Sequence, residues 1–183
     1  MSRELNIDAA DLRHTWDIVA IERRASMITY PNRDVGLTAD DVRKWPWKER
    51  QERYSEMLFD PDASVSVALL GKQVVGFAAS RRDGELAHLR KLYVDPVHQS
   101  QGIGKALLGE AETWAMENGA TVMELDVTDY NTAARHFYER EGYMLAHNPG
   151  PQLVASIGVH MTLLSYEKTL LAAEGELLYE RAG

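Results

Sequence analysis

Ala87-His88-Leu89-Arg90-Lys91-Leu92-Tyr93-Val94, running into Asp95-Pro96 and then Gln99-Ser100-Gln101-Gly102-Ile103-Gly104-Lys105-Ala106, is the stretch on which the fold turns. Its apolar residues change parity: Ala87 and Leu89 are odd, Leu92 and Val94 even. Side chains alternate between the two faces of a strand, so the switch needs one extra residue, and a bulge is predicted near Arg90-Lys91. The other reading is a strand buried on both faces. A bulge splays the strand from its neighbour and leaves backbone N–H and C=O groups unpaired, which suits an extended, amide-containing ligand. The glycine turn lets such a ligand approach the backbone closely. The helix that follows presents successive N–H groups and the positive end of its dipole, a site for phosphate oxygens, with Lys105 as an added charge.

Two other glycine-rich phosphate sites do not fit. A P-loop requires Gly at the position of Gln99 and Ser or Thr at that of Ala106. A dinucleotide fingerprint requires Gly at the position of Leu107.

Outward from this stretch, Glu85 to Asp95 reads as a strand, preceded by strands Ser64 to Leu70 and Val74 to Arg81 around the Gly71-Lys72 turn. On the other side, Gly102 to Asn118 reads as a helix, with Ile103, Ala106, Leu107, Ala111, Trp114 and Ala115 at helical spacing and Gly119 as its cap. Thr121 to Thr128 is a strand in which Met123, Leu125 and Val127 alternate with Glu124 and Asp126. Asn131 to Glu141 is a helix ended by Gly142. Tyr143 to His147 and Ile157 to Glu167 form a final strand pair, joined through the turn-rich Asn148-Pro149-Gly150-Pro151, and His160 is structural there.

Near the N-terminus, Leu5 to Ile7 is a short strand, and Ala9 to Met27 a helix with Leu12, Trp16, Val19 and Ala20 near one face. Thr38 with Asp41 marks a helix start, Trp45-Pro46-Trp47 interrupts it, and a second helix with Pro46 in its first turn runs to about Phe59. The order is mixed α/β, an α+β fold in which a strand-helix-strand unit places a locally parallel pair inside an otherwise antiparallel sheet flanked by helices.

The 183 residues suit one domain over 1–168, with 169–183 as a C-terminal tail without an assigned role. No cysteine is present, which excludes disulfides, thiolate metal sites and a cysteine nucleophile, and no metal site is expected. A net charge of -8 disfavours nucleic acid and favours cationic partners. The absence of a long apolar run leads to the expectation of a cytoplasmic protein with no membrane partner.

Leu92-Tyr93-Val94-Asp95-Pro96 with Gln99-x-x-Gly102-x-Gly104 and Ala106-Leu107-Leu108 closely resembles the acetyl-CoA signature of the GNAT superfamily of N-acetyltransferases. Asn131-x-x-Ala134-x-x-Phe137-Tyr138-x-x-x-Gly142-Tyr143 resembles that family's second motif. The resemblance covers Leu86 to Tyr143 well, and the order of elements from Ala9 to Glu167 agrees with it. It implies acetyl-CoA as cosubstrate. The pantetheine would pair with Leu92, Tyr93 and Val94, and the pyrophosphate would rest on the amides of Gln99, Gly102, Ile103, Gly104 and Lys105. It also implies pantetheine contacts from Asn131 and the small Ala134, and a proton from Tyr138 for the departing thiolate. Gln99 stands where Arg is frequent in the family.

Acyl transfer to an amine needs a base as well, because a lysine-like amine with a pKa of about 10.4 arrives protonated. Glu124 and Asp126 share one strand face, and carboxylates between two helical layers would need a reason to be there. Asp126 occupies a place where relatives can carry an acidic base, and His88 one where arylalkylamine-type relatives carry a histidine. For all three the alternative is an ordinary polar side chain. Trp45, Trp47 and Tyr54 fall in the region that shapes the acceptor pocket in this family, or else pack the core. The expected acceptor is a small cationic amine such as a polyamine. Acetylation of a protein N-terminus or lysine, and a non-catalytic acyl-CoA sensor, are the alternatives, and a homodimer is compatible with each.

Overall fold

The structure, a computed structural model, describes residues 4–154 and 158–170. In chain order the elements are β1 (Leu5–Ala9), α1 (Thr15–Thr29), α2 (Ala39–Arg43), α3 (Trp47–Met57), β2 (Ala63–Leu70), β3 (Gln73–Asp83) and β4 (Leu86–Val94). There follow α4 (Ile103–Glu117), β5 (Val122–Thr128), α5 (Thr132–Arg140), β6 (Met144–His147), β7 (Gln152–Val154), β8 (Val159–Met161) and β9 (Leu163–Thr169). Seven strands form one sheet in the order β1-β2-β3-β4-β5-β9-β6. Every neighbouring pair is antiparallel except β4 and β5, which α4 connects by a crossover. The α+β architecture expected from the sequence is the one observed.

The bulge is where parity put it. Ala79 pairs with Lys91 and Ser80 with Leu89, so Arg90 is the extra residue. Its consequence is visible in the two cores. Before the bulge, Ala87 and Leu89 join Leu107, Ala111 and Met123 beneath α4. After it, Tyr93 packs on the opposite face with Phe77, Ile18 and Tyr54 beneath α1 and α3. β4 follows β5 only through Leu86, Ala87 and His88, paired with Val122, Met123 and Glu124. Beyond that point the two strands part.

Several sequence expectations change. The buried face of α1 is Ile18, Val19, Ile21, Glu22 and Ala25 with Thr15 and Ser26, whereas Trp16 is 59% exposed and Leu12 precedes the helix in a short 3-10 turn. Three polar residues inside the stripe disguised it. Pro46 stands one position before α3 as its cap, with Thr38 and Asp41 forming the capping box of α2 as expected.

The late segment is two strands rather than one. It breaks at the buried Thr162, whose carbonyl accepts the Asp129 N–H at 3.1 Å. β9 runs between β5 and β6, while β8 turns away and pairs with β7 as a separate ribbon, with His160 exposed opposite Leu153. Ile157, where that strand was expected to begin, lies outside the described residues. β9 extends to Thr169, and the buried Leu170 donates its N–H to Thr121 at 2.7 Å, so a boundary at 168 falls inside the sheet. The rest of the expected tail lies outside the described residues.

Candidate active site

The turn between β4 and α4 starts from Asp95, buried and held by Arg24 at 2.5 and 3.1 Å. The chain then crosses into the left-handed region at Ser100 (φ 61) and at Gly102 (φ 79), which lets α4 begin abruptly. The first α4 hydrogen bond runs from Ala106 to Gly102, so the amides of Ile103, Gly104 and Lys105 have no acceptor within the helix. The Ile103 side chain is core, and this residue offers only its backbone. A Cβ on Gly104 would lie 3.7 Å from Phe137 and 3.8 Å from Val94, so this glycine marks the seam where α4, β4 and α5 meet. The Lys105 ammonium is ion-paired with Glu141 at 3.0 Å. Gln99 is exposed at the entrance to the turn.

On the splayed strand, Leu92 and Val94 lean toward the α4 core. Tyr93 faces α1, where its hydroxyl meets that of Tyr30 at 2.9 Å. α5 borders the opening. Asn131 is its N-cap and accepts the Ala134 N–H at 3.2 Å, which leaves the carboxamide nitrogen as the group it can offer. Ala134 is half-buried beside it.

Phe137 is half-buried at Gly104, and Tyr138 is the deeper, its ring edge-on to both Phe137 and Tyr143. The hydroxyls of Tyr30, Tyr54, Tyr93, Tyr130, Tyr143 and Tyr166 all have partners, and that of Tyr138 has none among the described residues. Burial pushes the Tyr138 phenol above its ordinary range, with Tyr30 nearby adding to the effect, so it stays protonated at neutral pH.

The three base candidates do come together on the α1 face. His88 pairs with Glu124 across the β4–β5 ladder, and its Nε2 lies 3.7 Å from an Asp126 carboxylate oxygen. Burial lowers the His88 pKa, against the opposing pull of Asp126. Asp126 is exposed and accepts the Ser165 hydroxyl at 2.6 Å, and Glu124 is half-buried. The premise of two helical layers therefore does not hold for Asp126, which is solvated.

A cluster that sequence reading missed lies beside them. Glu22 is 0% exposed in α1 and binds Arg50 at 2.5 Å, Tyr54 at 2.8 Å and Lys91 at 3.6 Å. Arg50 also stacks over Trp45 and Trp47 at 4.9 and 5.2 Å. Tyr54 thus serves as both packing and hydrogen-bond donor. The signal available was a glutamate inside the stripe Ile18, Ile21, Ala25.

Residues 33–143, more than half of the chain, match the acetyltransferase (GNAT) family. The chain belongs to that family. Membership makes acetyl-CoA its cosubstrate and acetyl transfer its kind of chemistry. An aminoalkylphosphonate N-acetyltransferase of Salmonella typhimurium is 32% identical over 103 residues, covering 53% of this chain and 67% of the relative. A streptothricin acetyltransferase of Streptomyces lavendulae is 33% identical over 87 residues, 46% of each chain. The matched stretch is thus about half the length of the latter. The PaiA N-acetyltransferase of Thermoplasma acidophilum, solved with coenzyme A, superposes with a TM-score of 0.75 over 91% of this chain and 99% of its own, at 19% identity, a likeness of fold.

Among this chain's residues the GNAT cosubstrate finds a fit. The open edge of β4 beyond His88 offers backbone to amide groups, and the amides at the start of α4 offer donors to phosphate oxygens.

Proposed function

We propose that this GNAT protein transfers the acetyl group of acetyl-CoA to the primary amine of a small molecule at the opening between β4 and β5, with Tyr138 as the proton donor. The hydroxyl of Tyr138 carries the reading: the ring is buried, yet the hydroxyl is not among the enclosed atoms and has no partner among the described residues, so it is free to donate to a group bound in the opening. In this reading the ammonium gives one proton to a base, the freed nitrogen bonds to the thioester carbonyl carbon, the C–S bond breaks, the thiolate takes the Tyr138 proton, and the second proton of the nitrogen restores the Tyr138 phenol directly or through water. Backbone N–H groups of Leu92 to Val94 steady the oxyanion. His88, neutral at pH 7 through its lowered pKa, is the favoured base, acting directly or through water, and Asp126 or Glu124 is the alternative to it.

The polyamine acceptor expected from the sequence has Glu124 and Asp126 in its favour and the solvation of Asp126 against it. The relatives bearing small-molecule names support the small-molecule reading over protein acetylation. Incubation with acetyl-CoA and a panel of amines, with thiol release as the readout, tests the proposal. Turnover of at least one amine, reduced at least tenfold in Tyr138→Phe, supports it. Coenzyme A binding without thiol release from any amine would instead mark a sensor.

A further inference from the structure

The acceptor side of the opening carries two signs of charge on two walls. On the wall built by α1, α3 and β4, Arg50 and Lys91 share a single carboxylate, that of the fully buried Glu22. Tyr54 takes the second oxygen of that carboxylate. Arg90, the bulge residue, adds a third positive charge whose field, with that of Arg50, opposes the charge on Lys91. The Arg50 Nε is enclosed and has no hydrogen-bond partner among the described residues, and Lys91 keeps a third of its side chain accessible. Arg90 is exposed, but Arg50 and Lys91 are half-buried with one carboxylate between them and so lack an anion, since charges removed from water need pairing. Across the parting strands the other wall offers Glu124 and Asp126, with His88 between the two.

Lys91 follows the bulge by one residue, so its side chain lies on the same face as Tyr93. That is the α1 face, which His88 also shares. The anion-seeking groups and the candidate bases thus border one opening from its two sides. A polyamine would meet Lys91 and Arg50 as repulsion. A molecule with opposite charges at its two ends meets attraction on both walls and is turned so that its nitrogen lies beside the base.

We infer that the acceptor is a small zwitterion, a primary amine carrying a carboxylate or phosphonate, with its anionic end at Lys91 and Arg50 and its amine toward His88, Glu124 and Asp126. The inference rests on the acetyl transfer proposed above and names the substrate class for it.

The test compares amines of similar length with and without an anionic group. β-Alanine and 2-aminoethylphosphonate are set against propylamine and putrescine, with acetyl-CoA and thiol release as the readout. The zwitterions are expected to have the higher kcat/KM. Replacing Lys91 with Met should lower the ratio of zwitterion to propylamine kcat/KM by about ten- to a hundredfold, the worth of a charge-assisted contact. Lys91→Arg should restore most of it. The two zwitterions separate carboxylate from phosphonate preference. If Lys91 served only to tie β4 to α1, Lys91→Met would lower the melting temperature and leave the ratio unchanged, which overturns the inference. Turnover of propylamine or putrescine ahead of both zwitterions also overturns it while leaving acetyl transfer standing. Failure of every amine to release thiol overturns both.

Discussion

His88 and Glu124 are the last residues at which β4 and β5 remain paired, and Arg90, two residues further on, is the one with no counterpart on β3. The end of one ladder and the bulge in the other fall within a single turn of the pleat. The strand is thereby released on its β5 side just where its side chains exchange faces. The opening therefore has bare backbone on one side and, on the α1 face, a histidine, two carboxylates and the Glu22 cluster.

Gly104 separates ligand binding from folding. A methyl group there meets Phe137 and Val94 at ordinary contact distance, so Gly104→Ala should fold with an unchanged or slightly higher melting temperature. It should lose most of the coenzyme A-induced rise in melting temperature, because the methyl stands beside the free amides of α4. Gly102→Ala differs: at φ 79 it should cost about 1–2 kcal/mol before any ligand is added. Thermal melts with and without coenzyme A check both.

Tyr138→Phe should reduce kcat by about ten- to a thousandfold and leave the melting temperature nearly unchanged, since the hydroxyl has no partner to lose among the described residues. Because burial raises the Tyr138 pKa, any alkaline limb due to its ionisation lies above the ordinary tyrosine value of about 10. Tyr54 and Tyr93 are raised in the same way. A raised phenol contributes stability that is fully present below the unfolded pKa of about 10 and lost as pH climbs toward the folded one. Melting temperature should therefore fall above about pH 10.

His88 gives the acid side. Its folded pKa is lowered, so its contribution to stability is present above its unfolded value, 6.5, and is lost as pH falls through the folded value. If it is the base, kcat/KM falls on the acid side below pH 6.5, and His88→Gln removes that limb along with most of the activity. An acid limb that survives His88→Gln in a still-active enzyme assigns the base to Asp126 or Glu124. A pH profile of the variant decides.

Glu22→Gln should be the most damaging single-atom-scale change in the chain's polar interior. It leaves Arg50 and Lys91 half-buried without their carboxylate, at a cost of about 3–5 kcal/mol. For a domain of this size that lowers the melting temperature by on the order of ten degrees. Glu52→Gln, which breaks only the exposed pair with Lys48 at 3.7 Å, should cost less than about 1 kcal/mol.

The bulge, the glycine turn and the α2 cap were legible because each is written in adjacent residues: a parity switch at Arg90, small residues at Gly102 and Gly104, a threonine three positions before Asp41. What stayed hidden depends on distant partners. Glu22 reads as solvent-facing until Arg50, 28 residues on, is folded against it, and with Thr15 and Ser26 it broke the apolar stripe that marks the α1 face. The break at Thr162 has no glycine or proline to announce it. Phe137 and Tyr138 occupy adjacent helix positions, and their spacing does not say which goes deeper, where Tyr138 meets Tyr143.

Hydrogen–deuterium exchange with and without coenzyme A tests the central claim most directly, because the account assigns the ligand to backbone groups. Protection on binding should concentrate in peptides spanning residues 89–94 and 99–106, the released half of β4 and the turn into α4. Gly104→Ala should abolish it in both peptides. Protection that leaves both stretches unchanged and falls elsewhere in the chain would contradict the account.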